Sequence, residues 1–197
     1  MKPAPRSSSH SEGDETGLVL AAQRGDEAAF TEIVRRYQHA VYRVAYGLTR
    51  NASDADDLAQ ETFVRAYQAI GRFRAGEPLY PWLSRIAINQ VYSLFRRRRR
   101  RPEAALEPLL EGGRQWAAPD DPEEEVADRE HRQHLHSAFS ELSDEHQVVL
   151  VLRVVEGLSY DEIARTLAVP IGTVMSRLSR ARAELKRCLR TRTGETS

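Results

Sequence analysis

The sequence contains one cysteine, Cys188, and no long apolar run. A single cysteine excludes an internal disulfide, which suits a protein of the reducing cytoplasm. No apolar stretch approaches the roughly 18 residues that a membrane-spanning helix needs, and the polar N-terminus lacks a signal-peptide pattern. We therefore expect a cytoplasmic protein that does not insert into a membrane.

Net charge is also absent, because 29 Lys and Arg balance 29 Asp and Glu. The distribution of these charges is uneven. Residues 1–101 hold 17 basic against 11 acidic side chains, residues 102–128 hold one against nine, and residues 129–197 hold 11 against nine. Two basic blocks beside an acidic segment suit a phosphate backbone, so the zero net charge does not exclude a nucleic-acid partner.

Proline and glycine divide the chain, because their density in residues 102–123 excludes a long helix there. We interpret this acidic segment as a flexible linker, either a plain spacer or one whose Trp116 binds a partner. Periodic apolar residues on both sides predict helices only, so the fold class is all-α, with two small helical domains. The predicted parts are a disordered arm 1–15, a first domain 16–101, the linker 102–123, a second domain 124–190 and a tail 191–197.

Capping residues locate several helix starts, with Asp26, Ser53, Ser143 and Ser159 as predicted N-caps. The stretch 148–152 is rich in β-branched residues and would pass for a buried strand. We predict a helix there, because no partner strand exists to pair its backbone. The predicted helices span about 16–24, a second segment after Asp26, 54–72, 79–100, 123–141, 144–156, 159–167 and 171–190.

The last two predicted helices form a helix-turn-helix pattern. Ser159 and Glu162 have the spacing of a capping box, and Ala168-Val169-Pro170 separates the two helices. In the second helix, an apolar core face that includes Cys188 lies away from polar and basic residues near the N-terminal end. This pattern predicts DNA binding, and the alternative is a plain helical hairpin with a solvated basic face. The candidate DNA-contacting residues are Thr173, Ser176, Arg177 and Arg180.

The third predicted helix carries an acidic face. Its acids recur at a spacing where like charges repel, and Glu61 is too far along the helix for the N-terminal dipole to compensate. Three interpretations are open: a solvated acidic face, a surface for a basic protein partner, or a metal or paired-carboxylate site. The absence of a neighbouring His or Cys argues against zinc. The residues are Asp54, Asp57, Gln60 and Glu61.

The fourth predicted helix carries a stripe that alternates aromatic, basic and amide side chains opposite its core face. Aromatic side chains stack on unpaired bases and cations hold the backbone, so the stripe predicts binding to single-stranded nucleic acid. Six consecutive arginines, 96–101, extend this stripe and suit contacts with a phosphate backbone. In the preceding loop 71–81, Phe73 is a candidate to hold a base that has been flipped out of the duplex. For Trp82, the alternative is a core residue at the loop junction. The stripe is Trp82, Arg85, Asn89, Tyr92 and Arg96.

Three motifs, in this order, resemble the extracytoplasmic-function group of the sigma-70 family. The run from Asp54 to Phe63 resembles its core-polymerase-binding motif. Trp82-Leu83, Ile86-Ala87 and Asn89, followed by the arginines, resemble its promoter-melting helix. The segments 157–164 and 172–182 resemble its C-terminal helix-turn-helix, a winged-helix-like DNA-binding domain.

The resemblance implies an RNA polymerase sigma factor. It implies that the acidic face binds the β′ clamp helices of core polymerase and that the second domain contacts the β flap. It also implies that the aromatic stripe and loop 71–81 open and read the minus-ten element as single strand, while the helix-turn-helix reads the minus-thirty-five element as duplex. An anti-sigma factor is an implied partner, and neither a cofactor nor catalytic residues are implied.

Three positions depart from the family pattern. This chain has Ser93 where the family usually has an acidic residue, Ser143 where it usually has a proline, and Ile171 where it usually has a charged or polar residue. Ile171 bears on which bases the recognition helix reads, so the resemblance leaves the promoter sequence open.

Two other classes of function compete with this interpretation. An ordinary helix-turn-helix regulator shares the C-terminal half, but it leaves the stripe and the arginines unexplained and predicts a dimer on paired half-sites. An enzyme is disfavoured, because the sequence offers no nucleophile with a base, no phosphate loop and no Cys/His metal set.

Overall fold

The computed structural model describes residues 9–100 and 125–193. The linker 102–123 with Trp116, most of the proposed arm, and the last four residues of the tail lie outside the described residues. Within the described ranges all regular structure is helical, which confirms the all-α prediction. The helices are α1 Ser9–Gln23, α2 Glu27–Thr49, α3 Ala52–Ala69, α4 Leu79–Arg100, α5 Glu125–Ser140, α6 Asp144–Leu150, α7 Tyr160–Leu167 and α8 Ile171–Thr193, with a 3-10 turn at Ile70–Arg72 and a π-helical turn at Val151–Val155.

Local capping confirms most of the predicted helix starts. The Asp26 carboxylate accepts from the backbone N–H groups of Ala28 and Ala29, and the Ser143 hydroxyl accepts from that of His146. Ser159 and Glu162 form the predicted capping box. Each cap satisfies N–H groups that have no partner inside the helix.

Two predicted boundaries are wrong. Helix α3 is capped by Asn51, whose side chain accepts from the Asp54 N–H, and not by Ser53. Helix α1 begins at Ser9, so residues 9–15 do not belong to a disordered arm. The middle of the helix is held by tertiary contacts, because Glu15 accepts from the Leu79 N–H at 3.0 Å and Asp14 pairs with Arg36 at 2.6 Å.

The β-branched stretch 148–152 is helical, as predicted from the absence of a partner strand. It completes α6 and enters the π-helical turn, and all five of its side chains are buried. Burial on every side explains why its sequence also suits a central strand. Within the part of the chain that the structure describes, no helix is both long and apolar enough to cross a bilayer.

Two apolar clusters form the core. The smaller lies wholly within the N-terminal half and joins α1 to α4 around Ile33, Leu79 and Leu83. The larger contains buried residues from both halves, including Leu48 and Val91 from the first and Leu152 and Ile163 from the second. The two helical domains therefore pack against each other through one shared core.

Candidate polymerase and nucleic-acid surfaces

The acidic face of α3, defined as Asp54, Asp57, Gln60 and Glu61, remains largely open to solvent. Asp57, Gln60 and Glu61 are exposed, whereas Asp54 is half-buried and pairs with Arg98 at 2.6 Å. Glu61 pairs with Arg65 one turn later at 2.7 Å. Asp57 is thus the carboxylate at the centre of this face, between two that have basic neighbours. Within the described ranges, no group of three His, Cys, Asp or Glu is placed to hold a metal ion.

An open groove of about 650 Å³ lies next to the acidic face, between α2 and α3. Its lining combines aromatic, aliphatic and polar side chains. Gln60 and Asp56 belong to it, so the groove and the acidic face are continuous. Val64 and Tyr67 on its wall are exposed at 52% and 48%. This groove was not predicted from the sequence.

The loop before α4 is fixed by contacts from α1. The Gln23 side-chain amide donates to the carbonyl oxygens of Ile70 and Phe73 at 2.9 and 2.6 Å. The Phe73 ring lies against Trp82 with 4.9 Å between ring centroids, and both pack against the smaller core cluster. Gly76, at a φ of 93°, adopts a backbone conformation that favours glycine and turns the loop back into α4.

The aromatic-basic stripe of α4 is less exposed than predicted. Arg85, Asn89 and Arg96 are exposed, but Trp82 and Tyr92 are half-buried. Trp82 combines the two interpretations that its position left open, since one part of the ring packs and the other faces solvent. Tyr92 packs against the larger core cluster, where burial and the nearby Glu145 carboxylate raise its pKa to about 12.

The helix-turn-helix is formed by α7 and α8 as predicted. Helix α7 ends at Ala168, which has a left-handed backbone at a φ of 52° and closes the turn with N–H bonds to Ala164 and Arg165. The core face of α8 is buried at Val174, Leu178 and Ala181, and Cys188 is 5% exposed, so its predicted packing role is confirmed.

The four candidate residues of α8 differ in exposure. Arg180 is exposed, Thr173 and Ser176 are half-buried, and Arg177 pairs with Glu145 of α6 at 2.8 Å. The Ser176 hydroxyl donates to the Thr173 carbonyl at 3.0 Å. Ile171 and Met175 in the first turns of α8 are also exposed, at 43% and 53%, and Met175 was not among the residues predicted to contact DNA.

The halves meet at a buried carboxylate. Glu156, 3% exposed, accepts two bonds of 2.9 Å from the Arg43 guanidinium and one of 2.7 Å from the Tyr80 hydroxyl. Helix α4 also packs against α7. The candidate single-strand surface and the helix-turn-helix therefore lie together in this arrangement.

Comparisons with known proteins match both halves of the chain to one family. The family model described as Sigma-70 region 2 matches residues 33–101, and that described as Sigma-70, region 4 matches residues 132–185. The RNA polymerase sigma-H factor of Pseudomonas aeruginosa is 37% identical over 177 residues, covering 87% of this chain and 92% of the relative. The ECF RNA polymerase sigma factor SigE of Mycolicibacterium smegmatis is 38% identical over 186 residues, covering 92% and 71%.

One solved structure extends the comparison to a complex. The sigma factor RpoE, bound to the anti-sigma factor NepR from Bartonella quintana, matches with a TM-score of 0.62 and 27% identity, covering 82% of this chain and 96% of that one.

Proposed function

The chain belongs to the extracytoplasmic-function group of the sigma-70 family, and from that premise we propose which surface performs each step of initiation. It is an RNA polymerase sigma factor that directs core polymerase to specific promoters and helps open the minus-ten element. The observation that carries the assignment of surfaces is their order on one chain: acidic face, aromatic-basic helix and helix-turn-helix.

We propose that core polymerase binds the acidic face of α3 together with the adjoining groove. Asp57 supplies an exposed negative charge that attracts a basic partner. The exposed side chains of Val64 and Tyr67 supply apolar surface that the partner can bury. A protein interface of this kind combines an apolar centre with a charged rim. On this proposal the partner is the pair of β′ clamp helices, while the second domain contacts the β flap.

We propose that the minus-ten element binds as single strand across the loop 71–81 and α4. Phe73 and Trp82 form a fixed aromatic pair against which an unpaired base stacks, and Arg85 and Arg96 lie exposed for the backbone. Asn89 is an exposed amide one turn after Arg85, and on this proposal it hydrogen-bonds a base edge. Tyr92 is half-buried against the C-terminal half, so on this proposal it reaches DNA only when the halves move apart.

We propose that the minus-thirty-five element binds as duplex to α8, through Thr173, Ser176, Arg177 and Arg180. The capping box fixes the start of α7, and the left-handed residue at its end fixes the turn into α8. The orientation of the recognition helix α8 relative to α7 is therefore defined. Arg177 must exchange its bond with Glu145 for one to DNA. Arg180 is already exposed.

Regulation by an anti-sigma factor is part of the proposal, since the similar Bartonella quintana sigma factor was solved with one bound. We place the chain in the cytoplasm, where core polymerase acts, and assign it no cofactor and no catalysis of its own. The domain division proposed from the sequence, with a first domain 16–101 and a second 124–190, assigns one DNA element to each domain.

Selection from a random duplex pool tests this function. Core polymerase with the chain should enrich duplexes that share an upstream and a downstream element, and should transcribe them. Core polymerase alone should enrich nothing in common. Enrichment of paired half-sites by the chain alone, as a dimer, would instead identify an ordinary regulator.

A further inference from the structure

The recognition helix α8 presents two large apolar side chains to solvent. Ile171 is 43% and Met175 is 53% exposed. Because they are four residues apart, they lie one above the other on the same helix face. They occupy the first turns, the part of a recognition helix that enters the major groove.

The residues around this apolar pair favour DNA, rather than an apolar surface of another protein, as its binding partner. Gly172 and Ser179 beside it are small and exposed, Arg180 is exposed, and the first turn of α8 contains no acid. A Cβ on Gly172 would meet no other atom within 4 Å, so packing inside the protein does not require glycine there. The glycine therefore leaves room for an external backbone to approach the start of α8 closely.

The polar side chains next to the pair already have partners within the protein. Arg177 is bound to Glu145, and the Ser176 hydroxyl donates to the Thr173 carbonyl. The outward centre of the helix is therefore apolar. In the major groove, the base feature that an apolar side chain reads is the 5-methyl group of thymine.

We infer that Met175 and Ile171 contact the 5-methyl group of a thymine in the upstream duplex element and make that thymine a determinant of promoter choice. The inference rests on the proposed function, because it requires α8 to read duplex DNA. Met175 is unbranched and polarizable, so it adapts to the methyl group, and Ile171 supplies a stiffer second wall.

Replacing thymine by uracil removes only this methyl group and leaves base pairing intact. The test uses the full chain assembled with core polymerase, and duplexes that this holoenzyme has enriched from a random pool. Each thymine of the upstream element is replaced by uracil in turn, and the affinities of the two duplexes are compared. Burial of one methyl group corresponds to about fourfold in affinity.

The expected result is one thymine at which the wild type binds the uracil duplex about fourfold more weakly. Met175→Ala should bring that ratio close to one, and Ile171→Ala should reduce it. Val154→Ala, which trims another exposed apolar side chain of the same half, should leave the ratio unchanged.

Three results would overturn the inference while the proposed function stands. The first is equally tight binding of every uracil duplex and its thymine parent by the wild type. The second is a uracil penalty that persists unchanged in both alanine variants. The third is weaker assembly of Met175→Ala with core polymerase and an unchanged thymine preference, which would assign the pair to a protein contact. Failure of the holoenzyme to enrich any shared duplex would overturn the proposed function as well.

Discussion

The Arg43 guanidinium and the Glu156 carboxylate form a two-bond ion pair that joins the halves of the protein. The carboxylate side chain is 1% exposed, the guanidinium side chain 46%. Glu156 can be buried because Arg43 and Tyr80 satisfy it, while Arg43 keeps part of its hydration. Burial of the Tyr80 ring itself, together with the neighbouring Glu156 charge, raises the pKa of Tyr80 well above its ordinary value, so the phenol stays a hydrogen-bond donor.

Arg43→Ala should therefore destabilise the fold. The free energy of unfolding should fall by about 2–3 kcal/mol, less than for a fully buried pair because Arg43 is half-exposed. Urea denaturation of the full chain measures it. Arg35→Ala, which removes a partner of Glu32 at the surface, is the matched control and should change little. Equal losses in the two variants would contradict a structural role for the Arg43–Glu156 pair.

Gly47→Ala tests the contact between α2 and the π-helical turn. A Cβ there would lie 2.9 Å from one Val151 methyl carbon and 3.3 Å from the other, so we expect a loss of about 1–3 kcal/mol despite alanine's better helix propensity. In Gly47→Ala with Val151→Ala the loss should be smaller than the sum of the single effects. Gly17→Ala, with open space around it, serves as control. Additive losses would show that the two positions do not meet.

The capping box gives a pH-dependent prediction. Hydrogen bonds from the Ser159 backbone and hydroxyl hold the pKa of Glu162 below its ordinary value. A carboxyl whose folded pKa is lowered contributes stability above its unfolded pKa of about 4.3, and loses it as pH falls through the folded pKa. The stability gap between wild type and Glu162→Gln should be present at neutral pH and close in acid. Urea midpoints across this range measure it, and a gap independent of pH would refute the assignment.

Trp82→Ala tests the single-strand surface. The variant should bind core polymerase and upstream duplex normally but fail to open the promoter, because one base loses about 1–3 kcal/mol of stacking. Permanganate reactivity of the minus-ten thymines reports the opening. Trp82→Phe keeps an aromatic ring beside Phe73 and should retain part of the promoter opening. Unimpaired reactivity in Trp82→Ala would remove Trp82 from the minus-ten surface.

Local signals in the sequence were sufficient for much of the fold. Asp26, Ser143 and Ser159 are followed by apolar periodicity, and each caps a helix. Asn51 and Ser53 are both residue types that cap helices, so local sequence alone could not correct the prediction of Ser53 to Asn51. The choice depends on how α2 ends, at Arg50 in a left-handed conformation at a φ of 53°, which brings Asn51 into the capping position.

The contact between the halves was beyond sequence reasoning. Arg43 and Glu156 are 113 positions apart, and nothing local marks either as a member of a buried pair. The same limit applies to Tyr92, whose helical position predicts exposure and whose burial depends on a distant segment. For α8, the helical pattern defined the core face correctly, but the outward position of Met175 became clear only from the exposed fraction of its side chain.

Binding to purified bacterial core RNA polymerase tests the central claim most directly. The wild-type chain, without an anti-sigma factor, should form a stable complex, and the charge reversal Asp57→Arg with Glu61→Arg should abolish it. Glu27→Arg with Glu77→Arg makes the same charge change at two exposed positions away from the acidic face, and should bind normally. Binding that survives the first reversal would move the polymerase surface elsewhere on the chain. A wild type that does not bind at all would contradict the account.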